Sequence, residues 1–244
     1  MLNTWNELKE IQPQVYQMLQ NSIQKNRVAH AYIFEGERGT GKKEASILLA
    51  KSLYCEQTDI HKRPCNQCTN CKRISSGNHP DVHMIEPDGL SIKKEQIQFL
   101  QEEFTKKGVE SNRKVYIIDQ AEKMTVQAAN SLLKFLEEPL SDTTAILISD
   151  QTQKILPTII SRCQMITFKH LSADVLQKRL EEQGVDPQTA AIVSQLTNKF
   201  DEGLEISLDD WFAQAQRKVL ELYEAIKSNH MKALIYLQEE WFRH

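Results

Sequence analysis

The stretch Gly36-Glu-Arg-Gly-Thr-Gly-Lys-Lys43 decides the fold of the first part of the chain. It nearly matches G-x-x-x-x-G-K-[ST], a pattern in which glycines let backbone N–H groups converge on phosphates at the start of a helix. The apolar run Ala31–Phe34 before it predicts a buried strand, and a helical pattern follows from about Gly41 to Leu53. This strand–loop–helix unit has four candidate nucleotide-binding residues: Gly36, Gly39, Gly41 and Lys42.

The last position of this loop departs from the pattern. A Ser or Thr there supplies a hydroxyl for Mg²⁺, but this chain has Lys43, and a cationic side chain cannot be a metal ligand. The sequence therefore favours a nucleotide-shaped loop that lacks Mg²⁺-dependent hydrolysis. The alternative is a glycine turn unrelated to nucleotides, which the position between a strand and a helix argues against. Whether ATP still binds this chain is left open.

A second acidic motif, Val115-Tyr-Ile-Ile-Asp-Gln-Ala-Glu122, predicts a buried strand that ends at Asp119. An acid in this position normally holds Mg²⁺ in P-loop proteins. The next residue is Gln120, and an amide cannot accept a proton from an attacking water. Taken alone, Asp119 could equally be a residue that ends a core strand. Lys43 and Gln120 together argue against ATP hydrolysis by this chain.

Four of the five cysteines lie close together in the pattern C-x₉-C-x₂-C-x₂-C. Four thiolates match a closed tetrahedral Zn²⁺ site of the structural kind, with no open position for catalysis. An iron–sulfur cluster is the alternative. The sequence therefore predicts a structural zinc site whose ligands are Cys55, Cys65, Cys68 and Cys71.

Strand and helix patterns alternate through the first 169 residues, which predicts an α/β fold with a parallel sheet and helices on both faces. Further strands are predicted at Val82–Ile85, Ala145–Ile148 and Met165–Phe168. Further helices are predicted at Ile11–Lys25, at Ile92 to about Gly108, and at Val126–Leu136, where Pro139 stops the last one.

Only helical patterns follow Lys169, namely Leu171–Gln183, Gln188–Leu196 and Leu208–Ile226. We therefore place domain boundaries near Lys169 and near Ser207. The residues Glu240–His244 read as part of a helix with bulky apolar side chains, so we expect the sequence to stop inside a third domain.

Bulk properties exclude several classes of protein. The 244 residues carry a net charge of −3, from 30 basic and 33 acidic side chains, whereas a chain that holds DNA alone should be basic. No apolar run approaches the length of a membrane helix, and the first residues do not resemble a secretion signal. These features predict a cytoplasmic protein without a membrane partner.

The tripeptide Ser161-Arg-Cys163 lies just before the last predicted strand. By itself, an arginine here is most often a surface ion-pair partner. A guanidinium can also stabilise transition-state charge on a γ-phosphate that a neighbouring subunit binds. Cys163 is best read as a small buried apolar side chain, because no histidine motif accompanies it.

In order and spacing, these motifs resemble the AAA+ clamp-loader subunits of bacterial DNA polymerase III. The resemblance covers roughly residues 1–205. Besides the loop, the cysteines and Asp119, it is carried by three segments: Arg27-Val-Ala-His-Ala-Tyr-Ile-Phe-Glu-Gly36, Asn130-Ser-Leu-Leu-Lys-Phe-Leu-Glu-Glu-Pro139 and Ser161-Arg-Cys163.

The resemblance implies three domains. Residues 1–169 would form an AAA+ P-loop-like α/β domain with a zinc module at about 55–78. Residues 170–206 would form a small helical lid. Residues 207–244 would be the first part of a helical collar, which is an oligomerisation domain.

Subunits of this family include ATP-hydrolysing gamma/tau motors and a stator that does not hydrolyse ATP. The motor pattern has Thr in place of Lys43, Glu in place of Gln120, and a lid arginine where Glu205 stands in Gly203-Leu-Glu-Ile206. These three departures imply the stator, with Arg162 as an arginine finger that acts on ATP held by a neighbour. The alternatives are a motor subunit, or a zinc-bearing interaction module with a decayed P-loop.

The resemblance also implies partners. The chain would stand in a hetero-pentamer with gamma/tau and delta subunits, as a component of the DNA polymerase holoenzyme. Through that assembly it would support ATP-dependent loading of the sliding clamp onto primed DNA.

Overall fold

The computed structural model describes residues 3–105, 113–137 and 142–228, together with Leu234 and Leu237. The chain divides into two compact units, Met1–Leu171 and Ser172–His244. The first unit contains a five-stranded sheet, and the second is helical over its described residues.

All five strands of the first unit run parallel, in the order β2-β3-β4-β1-β5. They are β1 (Ala31–Glu35), β2 (Val82–Ile85), β3 (Lys114–Ile118), β4 (Thr143–Ser149) and β5 (Gln164–Thr167). Its helices are α1 (Trp5–Ile11), α2 (Pro13–Gln24), α3 (Lys42–Tyr54), α4 (Thr69–Ser75), α5 (Lys94–Thr105), α6 (Val126–Glu137) and α7 (Pro157–Ile160). The predicted α/β fold with a parallel sheet is confirmed, and each predicted strand is present.

The sheet is apolar on both faces, as a parallel sheet covered by helices must be. Alternate residues of a strand point to opposite faces, so Tyr32 and Phe34 pack on one side while Ala31 and Ile33 pack on the other. The first side is covered by α1, α2 and α3, and the second by α5 and α6. The packed sheet thereby positions the loops that leave the amino and carboxyl ends of its strands.

The amino-terminal helix differs from the prediction. One helix was predicted over Ile11–Lys25, but the structure has two, because Pro13 begins α2 and Ile11 ends α1. Proline lacks an N–H and fits the first position of a helix, so the chain breaks before it. Trp5 and Leu8 of α1 are buried, although the sequence pattern did not predict this helix.

The second unit contains four helices within residues 172–228: α8 (Ala173–Glu182), α9 (Pro187–Leu196), α10 (Phe200–Leu208) and α11 (Asp210–Ser228). Three of them correspond to predicted helices. The fourth, α10, was not predicted and contains Gly203–Ile206, including Glu205. Among the described residues, no helix has both the length and the apolar character needed to span a bilayer.

Some predictions fall outside the described residues. These are the end of α5 near Gly108, the role of Pro139 after α6, and the helix at Glu240–His244. The domain boundaries near Lys169 and Ser207 stay predictions.

Candidate functional site

The glycine-rich loop Gly36–Lys43 joins β1 to α3 at the carboxyl ends of the strands. Gly36 passes so close to Phe168 that an added Cβ would lie 2.6 Å from the Phe168 carbonyl oxygen, so only glycine fits there. Gly39 and Gly41 have φ angles of +79° and +93°, a region that side chains with a Cβ rarely adopt. The conformation of the loop therefore favours glycine at all three positions.

Lys42, the lysine of the motif, is bonded to the protein itself. Its Nζ donates to the carbonyl oxygens of Gly36 at 2.7 Å and Glu37 at 2.6 Å, and forms an ion pair with Asp150 Oδ1 at 2.8 Å. The side chain is only 5% exposed. An ammonium group has three N–H donors, so these three acceptors satisfy all of them. Lys42 is thus held by the loop and by an acid that follows β4.

Lys43 forms ion pairs with two acids at the carboxyl ends of neighbouring strands. Its Nζ lies 3.1 Å from Asp119 Oδ2 and also donates to Glu86 Oε1, so one cation bridges the acids that follow β3 and β2. Burial lowers the pKa of Lys43, but its bonds to Glu86 and Asp119 raise it by more, and the net direction is upward. Asp119 therefore has a side-chain cation beside it.

Gln12 ties the loop to the end of the sheet unit. Its Nε2 donates to the carbonyl oxygens of Thr40 at 3.3 Å and Lys169 at 2.6 Å, and its Oε1 accepts from the Lys169 N–H at 3.1 Å. Gln12 is buried, so these bonds lie out of competition with water. Thr40 is thus linked through one amide to Lys169, which follows β5.

The predicted zinc ligands come together. The sulfur atoms of Cys55, Cys65, Cys68 and Cys71 all lie within 4.8 Å of one another. Tetrahedral Zn²⁺ at about 2.3 Å from each sulfur needs sulfur–sulfur distances of about 3.8 Å, so the cluster fits a structural metal after a small contraction. It sits at the end of α3 and the start of α4.

Backbone N–H groups and a lysine surround the sulfurs. The N–H groups of Gln67 and Cys68 donate to the Cys65 sulfur and lower the pKa of that thiol to about 6. The buried Lys51 donates to Asn66 Oδ1 at 3.1 Å and attracts Cys71 electrostatically. A divalent ion with four thiolates carries a net charge of −2, so a buried cation beside it lowers the cost of burying the cluster.

Arg162 lies between α7 and β5 and is anchored by its own unit. Its Nη2 pairs with Glu137 Oε1 at 2.8 Å, and its Nη1 donates to the Thr158 carbonyl oxygen at 2.9 Å. The side chain is 35% exposed, and Glu137 is 50% exposed. Cys163 beside it packs against the core, and burial raises the pKa of its thiol to about 12.

Arg162 and the P-loop lie at opposite ends of the strands: Arg162 at the amino ends and the loop at the carboxyl ends. Strands β1 and β5 are parallel with Tyr32 opposite Gln164, so Arg162 precedes β5 while the loop follows β1. Four residues of strand, or about 13 Å, separate the two edges. Arg162 therefore lies at the other end of the strands from the glycine-rich loop of its own chain.

The sequence analysis did not identify the partners that fix these side chains: Gln12, Lys51, Glu86, Glu137 and Asp150. The positions of Glu86 and Asp150 could have been predicted from the sequence. Each directly follows a strand and therefore lies at the same ends of the strands as Asp119. Gln12 and Lys51 carried no such signal, since each acts on residues far from it in sequence. Gln120 adopts a left-handed conformation, with a φ of +54°.

The fold is that of AAA+ P-loop proteins. A DNA polymerase III gamma subunit-related protein from Thermotoga maritima superposes with a TM-score of 0.51 at 21% identity, over 91% of this chain and 70% of that one. A family model described as "DNA polymerase III, delta subunit" matches residues 11–172.

Relatives found by sequence show which family within the AAA+ P-loop proteins the chain belongs to. DNA polymerase III subunit delta' of Bacillus subtilis is 52% identical over 241 residues, which are 99% of this chain and 73% of that protein. DNA polymerase III subunit tau of the same organism is 37% identical over 172 residues, 70% of this chain and 30% of that one. The chain belongs to the delta' family of DNA polymerase III subunits, within the AAA+ clamp-loader family.

Proposed function

We propose that this chain is a stator of the clamp loader, which hydrolyses no ATP and binds no Mg²⁺–nucleotide in its own P-loop. The observation that carries the proposal is the Lys43 bridge between Glu86 and Asp119. A metal at Asp119 would lie against this ammonium group, and like charges repel. Lys42 adds to the case, because phosphate would have to displace Asp150 and two carbonyl oxygens from it.

Arg162 would serve a neighbouring subunit. Its position at the edge opposite the P-loop supports a role in trans, and its exposed guanidinium is suited to a phosphate oxygen. The partners would be gamma/tau and delta subunits in a hetero-pentamer that acts on the sliding clamp and primed DNA. In that assembly, residues 170–206 would form a lid and 207–244 would begin the collar, while the cysteine cluster would hold structural zinc.

A turnover assay on the isolated chain tests the proposal. With saturating ATP and Mg²⁺, we expect no phosphate release above that of buffer. The matched control is Lys42→Ala, which removes the P-loop lysine and should behave in the same way. Hydrolysis by the natural chain that disappears in Lys42→Ala would show a motor subunit and overturn the stator assignment.

Nucleotide binding is measured separately, because a chain can bind ATP without hydrolysing it. Equilibrium dialysis with radiolabelled ATP and Mg²⁺ should leave the chain unoccupied at concentrations that saturate a gamma/tau subunit measured in parallel. Mg²⁺-dependent binding that Lys42→Ala abolishes would contradict the proposal that the two lysines occupy the site.

A further inference from the structure

Strand β2 leaves one side of its backbone open at the edge of the sheet. Among the described strands it pairs with β3 alone. The N–H groups of Val115 and Asp119 donate to the carbonyl oxygens of Asp81 and Ile85, so alternate residues of β2 face β3. The N–H and C=O of Met84, between them, therefore point away from the sheet.

A cavity of about 880 Å³ lies against this open side. Ile47 of α3 and Ile74 of α4 line it on one face of the sheet, and Phe99 of α5 lines it on the other. Phe99 is 56% exposed and Met84 is 39% exposed. Helices from both faces thus flank the open side of the last strand and form a slot. Each wall of the slot has apolar side chains beside polar ones such as Ser75, Ser76 and Gln96.

Natural proteins usually protect an open strand edge with lysine, proline or a bulge, because an apolar edge invites another strand to pair. The sequence Val82-His-Met-Ile85 contains neither lysine nor proline. A strand inside a parallel sheet has apolar side chains of helices above and below it. The slot offers such side chains on both of its walls.

We propose that this slot binds an extended segment of a partner protein, which adds to β2 as a sixth strand. The backbone of Met84 would pair with the segment, and the apolar walls would bury its side chains on both faces. β2 has four residues, so the segment would contribute about 13 Å of strand. The binding chemistry therefore calls for a short, continuous run of apolar residues.

Charge at the end of the slot defines the segment further. Glu86 follows β2 directly, Glu95 lies in the first turn of α5, and both line the cavity. Glu86 is 55% exposed, and it shares the cation of Lys43 with Asp119. A lysine or arginine next to the apolar run would complement these two carboxylates.

The occupant is a bare strand rather than a second copy of this chain. A second copy would bring its own α3, α4 and α5, which extend past its own β2. Those helices would collide with the same helices here before the two β2 strands reached hydrogen-bonding distance. An extended segment without covering helices enters the slot without such a collision.

The test uses a phage library of random octapeptides, selected on the zinc-loaded whole chain. We expect selected peptides to carry three or more successive apolar residues beside a Lys or Arg. Synthetic copies should bind Met84→Ala within about threefold of the natural chain, because alanine keeps the N–H. They should bind Met84→Pro at least about tenfold more weakly, since proline removes that donor.

Two further measurements keep the proposal open to failure if Met84→Pro disturbs β2. Phe99→Glu changes an exposed wall residue and should also weaken binding by about tenfold or more. Peptides N-methylated at alternate positions, in two complementary sets, should differ by at least about tenfold, because only one set loses the N–H groups that face β2.

Equal affinity for both methylated sets would overturn the proposal, because binding would then not depend on strand pairing. A selection that yields no specific peptide would also overturn it. Sedimentation of the chain alone as a dimer, abolished by Met84→Pro, would assign the edge to a second copy and equally overturn it. Circular dichroism and zinc content confirm that each variant has folded.

Discussion

The cations Lys42 and Arg162 lie at opposite ends of the strands and differ in burial and in how many of their donors have acceptors. At the carboxyl edge, Lys42 is 5% exposed and all three of its donors have acceptors in the loop or Asp150. At the amino edge, Arg162 is 35% exposed, and the described residues give its five N–H groups only three acceptors. The comparison teaches that a lysine within a sequence motif can have all of its donors satisfied by the protein, while a partly exposed arginine outside the loop has donors left over.

The largest effect should come from the amino edge. Arg162→Ala in a reconstituted loader should lower ATP turnover at the neighbouring site by about 10³-fold or more, because a finger stabilises charge that develops on the γ-phosphate. Total turnover would fall less if the other sites have their own fingers. Steady-state and single-turnover ATPase assays measure this loss. Lys154→Ala, which removes another exposed cation, is the control, and turnover equal to that control would show that Arg162 is not a finger.

Removal of a zinc ligand should have a large but local effect. Cys68→Ser should reduce the metal content from about one zinc per chain to none, because three thiolates no longer close the tetrahedral shell. Hydrogen exchange should rise in residues 55–78 and change less in the sheet, because from that segment the core cluster includes Ile74 and, partly buried, Ile60, while its other members lie elsewhere.

Plasma emission spectrometry identifies and counts the metal in that experiment, and Cys163→Ser is the matched control. Iron in place of zinc, or the same metal content in Cys68→Ser and Cys163→Ser, would contradict the structural zinc site. Loss of exchange protection throughout the sheet would show that the stability of the whole sheet depends on the cysteine cluster.

A smaller effect is expected at Glu137, which anchors Arg162. Glu137→Gln keeps the shape but removes the charge, so the guanidinium should sample more conformations and loader turnover should fall by about tenfold. The double variant with Arg162→Ala should be no slower than Arg162→Ala alone, because Glu137 acts only through the arginine. Glu182→Gln is the control for an exposed glutamate, and additive losses in the double variant would disprove the link.

The smallest effect concerns Lys43 at the carboxyl edge. Lys43→Met should lower the free energy of unfolding by about 1 kcal/mol or less near neutral pH, since the ion pairs are partly exposed. The pKa of Lys43 is raised in the folded chain, by Glu86 and Asp119 against the opposing effect of burial. The stabilisation is therefore fully present below the unfolded-state pKa of about 10.4 and is lost as the pH rises through the folded value.

Urea unfolding at about pH 8 and about pH 11.5 measures that difference. The gap between the natural chain and Lys43→Met should narrow at the higher pH. Lys25→Met, at an exposed position, should show no such narrowing. A gap of the same size at both pH values would mean that the Lys43 charge does not stabilise the loop.

Much of the fold could be predicted from the sequence, because parallel strands buried on both faces appear as short apolar runs. The limits of β2 were predicted to the residue, and the other strands within two residues. The short helices α1, α4 and α10 were missed. Burial by distant residues stabilises α1, and the cysteine cluster organises α4, and neither leaves a regular pattern in so few residues.

The candidate site was predictable where a motif fixes residue types at fixed spacing. The cysteines, the glycines of the loop and Lys43 follow from such spacing, whereas the role of Arg162 is implied only by the family resemblance. Their ion-pair partners do not, because Glu86, Glu137 and Asp150 meet them only after the chain has folded. Position at the end of a strand was the one clue to Glu86 and Asp150, and it indicates an edge rather than a particular bond.

The bonds of Gln12 have a mechanical consequence. The side-chain amide of Gln12 joins Thr40 of the glycine-rich loop to Lys169, which lies 157 residues after Gln12 in the chain. Gln12 is part of the chain, so this connection needs no bound molecule and does not depend on the concentration of any ligand. One end of the glycine-rich loop is thus supported by the protein itself.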